Sequence, residues 1–118
     1  MKALGMIEVY SFSHAVCVAD LAAKTADVEI IAFDRNRPFA PGAPAPLIME
    51  VKMTGEVAAV RAALDAAVEY SKSKAKYIVH HIIPNPGPGV EKMAYLIDIN
   101  KDKFNKKLPK SFFKEDEA

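Results

Sequence analysis

Two hydrophobic periodicities alternate along the chain in a set order, and that order restricts the fold more than any single residue does. Residues 2–10, KALGMIEVY, place Ala3, Gly5, Ile7 and Val9 on one side and Leu4 and Met6 on the other, which reads as a strand. Ser11 and Ser13 are good helix N-caps, and the alanine-rich HAVCVADLAAKTA (14–26) follows as a short helix able to sit close to a sheet. VEIIAF (28–33) is a second strand. LIMEVKM (47–53) is a third, with Leu47, Met49, Val51 and Met53 alternating against Ile48, Glu50 and Lys52. Thr54 can cap the next helix, Glu56 suits its positive end, and Val57, Val60, Leu64 and Ala67 or Val68 recur at helical spacing. KYIVHHII (76–83) is a fourth strand, stopped by PNPGPG. The order β-α-β-β-α-β predicts an α+β, ferredoxin-like sandwich: a four-stranded antiparallel sheet with both helices on one face.

That arrangement leaves the other sheet face bare within the domain. The first and fourth strands read as apolar on both sides: Leu4 and Met6 opposite Ile7 and Val9, and Ile78 and Ile82 opposite Tyr77, Val79 and Ile83. An uncovered patch of this kind marks an interface and predicts oligomerisation, unless the tail folds back over it. Val90 to Met93 suits one helical turn. AYLIDI after it fits a docked strand or helix, and the charged run to residue 118 has no periodic signal. The expected division is a folded domain over 1–93 and a C-terminal extension over 94–118.

The connection between the second and third strands is unusual. A hairpin needs two to five residues, whereas FDRNRPFAPGAPAPLIMEV spends about a dozen between its apolar ends, with four prolines, one glycine and two arginines. Proline fixes φ, so a long loop of this kind can hold a shape. In a cyclic assembly, Arg35 and Arg37 would repeat around the axis and set up a positive field.

Totals exclude several classes. A chain of 118 residues with 51% apolar and 26% charged residues suits one globular domain. A net charge of +1 gives no reason to expect nucleic acid. No apolar run is long enough to span a membrane, Glu8 interrupts the only N-terminal run that a signal peptide would need, and the single Cys17 makes no internal disulfide. The expectation is a cytoplasmic protein.

No catalytic constellation emerges. His80 and His81 are strand neighbours that point to opposite faces and do not chelate one ion, and no cluster has metal-ligand spacing. His14 reads as a surface residue, and Cys17 as a small hydrophobe in its helix. Glu8 and Glu29 lie in strands with nothing to place them together. GPG at 87–89 has proline where a phosphate nest needs an N–H. The lysines at 101, 103, 106, 107, 110 and 114 form a basic tail, read either as a solvated end or as a contact for an acidic partner.

Four stretches then carry a family resemblance. ALGMIEV (3–9), ADLAAKTADVEIIAFD (19–34), TGEVAAVRAALDAA (54–67) and HHIIPNPGPGVEKM (80–93), in this order, resemble a bacterial microcompartment shell protein of the single-domain, hexamer-forming type. The resemblance implies a structural, non-enzymatic subunit without cofactor or metal. It would form cyclic, six-fold tiles that pack with other shell proteins around encapsulated enzymes, with a central pore for metabolites. It places the pore at the loop after the second strand, here Arg35, Asn36, Arg37, Pro38, Phe39, Ala40, Pro41 and Gly42, longer and richer in proline than the family's glycine-rich loop. It places the tile edge at Lys24, with Asn85 standing where the family often has an arginine. The fold also suits a second class, a regulatory domain holding a small molecule between subunits, because one fold hosts many functions.

Overall fold

A computed structural model describes residues 2–36, 47–96, 98 and 99. Its elements run β1 (Ala3–Tyr10), α1 (Phe12–Thr25), β2 (Val28–Asn36), β3 (Ile48–Gly55), α2 (Val57–Ser73), β4 (Tyr77–Ile83) and α3 (Val90–Leu96). The sheet order is β2-β3-β1-β4 and every pairing is antiparallel, as the element order requires. No helix among the described residues is long and apolar enough to cross a membrane.

The core lies between one sheet face and the helices α1 and α2. Ile7 and Val9 of β1 pair with Val51 and Met49 of β3, and all four are buried with Val18 and Ala22 of α1 and Val60 and Leu64 of α2. Alanines at 15, 19, 22, 63 and 67 bring the helices close to the strands. The tightest approach is at Gly5, where an added Cβ would lie 2.6 Å from Val60 Cγ1 and 3.0 Å from Met53 Cγ.

Several elements differ from the sequence expectation for identifiable reasons. β2 runs three residues further, so Arg35 and Asn36 are strand residues paired with Met49 and Ile48. Ser11 caps α1, its Oγ accepting from His14 N, and the helix starts at Phe12. Thr54 does not cap α2. It belongs to β3 and its hydroxyl donates to Ala3 O at 2.8 Å, leaving Glu56 at the N-cap without a side-chain bond. In β4 the register slips between Val79, opposite Glu8, and Tyr77, opposite Val9, so Ile78 is an extra residue. The slip puts Tyr77 on the helix side with Ile82 and leaves Val79 and Ile83 on the other, correcting the predicted face of Tyr77. The open face is therefore less apolar than expected. Leu4 is buried there, and the large hydrophobics most exposed among the described residues are Phe12, Val16, Val79 and Met93.

α3 spans the expected boundary at residue 93 and packs against β2. Asp98 Oδ1 then accepts from Phe33 N at 3.0 Å, and Ile99 N donates to Phe33 O at 2.9 Å, so the chain fastens to the outer edge of β2.

His14 is not a surface residue. It is buried between α1 and α2, its Nε2 lies 2.9 Å from Ser71 Oγ, and its ring stacks on Tyr70 at 5.2 Å. Cys17, one helical turn on, is exposed rather than packed.

Two outcomes follow. Gly5→Ala is expected to cost about 1–3 kcal/mol by forcing α2 away from β1, read as a lower denaturation midpoint at unchanged m-value. Burial, and then the charges of Lys76 and Lys74, hold the His14 pKa below 6.5. Its depressed folded pKa means that the unfolded chain binds the extra proton first. The His14 contribution is complete above about pH 6.5 and is lost as pH falls through the folded value. Thermal melts between about pH 7 and pH 5 should thus fall more steeply for the native chain than for His14→Gln. Parallel curves would exclude this role.

Candidate functional site

Antiparallel register places the candidate residues at two opposite ends of the sheet. At one end stand Tyr10, Asn36, Ile48 and Tyr77; at the other stand Ala3, Val28, Gly55 and Ile83. β1 and β3 have eight residues each, so the ends are about 25 Å apart at ~3.3 Å per residue.

The first end bears the long connection. Asn36 and Ile48 are paired partners, so the eleven residues 37–47 connect adjacent strands. Of the predicted loop residues, Arg37, Pro38, Phe39, Ala40, Pro41 and Gly42 lie outside the described residues. Arg35 and Asn36 are placed: Arg35 is exposed on the helix side of β2, while Asn36 turns to the open face and donates from Nδ2 to Glu8 Oε1 at 2.9 Å. Ser11 N donates to Leu47 O at 3.0 Å and Tyr10 N to Lys76 O at 2.9 Å, so the root of the connection is tied to β1 and to the turn before β4.

The opposite end carries Lys24 and Asn85. Lys24 is exposed in the last turn of α1, where a cation suits the helix dipole. Its Nζ lies 2.8 Å from Asp20 Oδ2, and that hydrogen bond and charge raise its pKa. Asn85 is exposed in the turn just past β4. Both are exposed, at the end away from the loop.

Between the two ends lies a charge cluster on the open face that sequence reading missed. Glu8, Glu50 and Asp34 stand in one row across β1, β3 and β2, and Lys52 sits one row along. Lys52 is only 5% exposed, with its Nζ 3.8 Å from Asp34 Oδ2 and 3.9 Å from Glu50 Oε1. Carboxylates facing each other across strands repel, and the buried cation offsets this. Burial nonetheless raises the Glu50 pKa, Lys52 works against that rise, and Glu8 and Asp34 add to it. The signal available in sequence was the alternation Ile48, Glu50, Lys52, which placed these residues on one face but gave no partner. Among the described residues no group of three or more His, Cys, Asp or Glu is placed to hold a metal ion.

Comparison with known proteins puts this geometry in context. A family model described as BMC domain matches residues 3–86. The bacterial microcompartment shell protein PduK of Salmonella typhimurium is 28% identical over 89 residues, covering 75% of this chain and 51% of its own length. The shell protein PduA of Citrobacter freundii is 30% identical over 92 residues, covering 78% of this chain and 90% of its own. A solved structure of a microcompartments protein from Desulfitobacterium hafniense DCB superposes with a TM-score of 0.64 at 28% identity, covering 77% of this chain and 47% of that one. The chain thus spans about half the length of the PduK relative and of the solved structure.

Removing the buried cation is the sharpest probe of the cluster. Lys52→Met should destabilise the fold by roughly 3–5 kcal/mol, because buried carboxylates lose their counter-charge. Adding Glu50→Gln to that variant should recover part of the loss in chemical denaturation. A neutral single variant would show that water, not Lys52, compensates the row.

Proposed function

The chain belongs to the BMC-domain family, and from that premise we propose that it is a structural subunit of a bacterial microcompartment shell in the cytoplasm. The observation that carries the reading is the family match over residues 3–86, joined to the placement of the long connection and Lys24 at opposite ends of one sheet. A cyclic tile needs such a division: one end at the axis, the other at the rim. In this reading six copies close a ring. The segment Arg35–Gly42 surrounds the central pore, Lys24 and Asn85 meet neighbouring tiles, and other shell proteins and encapsulated enzymes are the partners. Residues 1–93 form the tile unit and 94–118 its extension, with α3 joining the two.

Arginines at 35 and 37 repeated around an axis would favour anionic metabolites, since a charge ring selects by sign. Proline at 38, 41, 44 and 46 would keep so long a loop in shape at a crowded axis. The relatives carry shell-protein names, which favours a structural role over catalysis or over the ligand-sensing alternative.

Light scattering and electron microscopy test the assembly. The full chain should give cyclic hexamers that associate into sheets or tubes as concentration rises. Lys24→Ala should keep the hexamer and lose the extended sheets, because Asn85 lacks the multi-donor fork of an arginine and compensates poorly. A chain that stays monomeric or dimeric at every concentration would sink the proposal, and sheets formed normally by Lys24→Ala would remove that residue from the edge.

A further inference from the structure

Two non-glycine residues among the described residues have positive φ, and they flank one buried pair. Ser11 has φ 73° and ψ 146°, and Ala75 has φ 57°. Backbone of this kind suits glycine, and other residues keep it only where their surroundings fix it. Ser11 precedes α1 and Ala75 follows α2. The two helices meet between them at His14 and Ser71, both buried.

Hydrogen bonds close a circuit through this pair. His14 Nε2 lies 2.9 Å from Ser71 Oγ. Lys76 N donates to Ser71 O at 2.9 Å, and Tyr10 N donates to Lys76 O at 2.9 Å. Ser11 follows Tyr10 in the chain, and its Oγ accepts from His14 N at 3.3 Å. From the same circuit Ser11 N donates to Leu47 O at 3.0 Å, just before β3. One side-chain bond, His14 to Ser71, thus ties the start of α1 across to α2, and the start of α1 in turn holds the root of the long connection.

A charge on His14 is badly placed. The ring stands in the first turn of α1, where the helix dipole is positive and no acidic residue offsets it. Tyr70 of α2 stacks on it, with Lys74 Nζ 6.0 Å from the Tyr70 ring centroid. Burial, then Lys76, then Lys74 disfavour the imidazolium. Tyr10 ends β1 beside Lys76.

We propose that His14 and Ser71 form a latch released by a proton: with His14 neutral it keeps Ser11 fastened to Leu47, and with His14 charged the first turn of α1 parts from α2 and the Ser11–Leu47 bond opens. The positive φ at Ser11 favours release, because that residue relaxes once the bonds that fix it are gone. The bond under control lies at the end of the sheet from which the long connection springs, and the end that bears Lys24 takes no part. The latch works within a single chain and needs no ring, so it stands or falls apart from the tile.

Hydrogen exchange of the full chain between pH 7 and pH 5, corrected for the intrinsic pH dependence of exchange, tests this at the amides of Tyr10 and Ser11. The open form takes up its proton near pH 6.5, above the folded value, so the latch is complete above that pH and is lost below it. Protection of these two amides should fall about tenfold per pH unit from about pH 6.5 down to the folded value. Amides of β1 from Gly5 to Val9 should keep their protection, which separates local opening from unfolding. His14→Gln should abolish the fall, and Ser71→Ala should lower protection at Ser11 already at pH 7. In the native chain the His14 ring resonances should titrate with the same midpoint as the loss of protection, a readout that needs no variant to fold. Protection at Ser11 that does not change with pH, an equal fall across β1, or a midpoint apart from that of His14 would overturn the proposal.

Discussion

The approach of α2 to β1 at Gly5 sets the geometry from which the rest follows. With Val60 and Met53 already within 3 Å of where a Cβ would stand, the helix sits as close to the strand as a glycine allows. Alanines on both helices extend the same close contact along the sheet. Interiors pack at near-crystalline density, so one face of the sheet becomes dry and shape-determined. The face behind it lies away from α1 and α2, which are both committed to the other side.

That second face follows a different physics. Lys52 and Asp34 are buried on it and Glu50 is half-buried, although all three are charged. A buried charge survives where partners share it. The register supplies those partners by setting Glu8, Glu50 and Asp34 in a row beside Lys52, and Asn36 adds a hydrogen bond to Glu8. Such a face is mixed, with Met6 and Val79 beside the charged row. The core decides where the strands lie, and the register decides which charges share that side.

The proposed tile requires that the two ends of the domain do different work. Antiparallel pairing accomplishes this without a special device. The long connection springs from the end where β2 meets β3, and α1 delivers Lys24 to the other. About 25 Å of strand separates them, so in the proposed tile a change in the loop would leave the end that bears Lys24 undisturbed. The family match over residues 3–86 covers the whole of this frame from β1 to the turn past β4.

Local pattern was enough for the frame. Alternation at 3–9 and 47–53, helical spacing at 57–68 and the proline stop at 84 established the element order, and the order left one sheet topology. The residues of the inner face, Ile7, Val9, Met49, Val51, Val60 and Leu64, were legible for the same reason: periodicity reports which side of an element is apolar. The connection after β2 was legible from its length and its prolines, though Arg35 and Asn36 proved to be strand. The tertiary structure alone decided the rest. His14 is buried because Ser71, 57 residues away, meets its ring nitrogen. Thr54 serves Ala3 rather than a helix end. An extra residue at Ile78 switches the sides of β4, and Lys52 gains carboxylates from another strand. Each of these depends on a partner distant in sequence, and a period of two or of 3.6 carries no information about which distant group will satisfy a polar atom once water has been excluded.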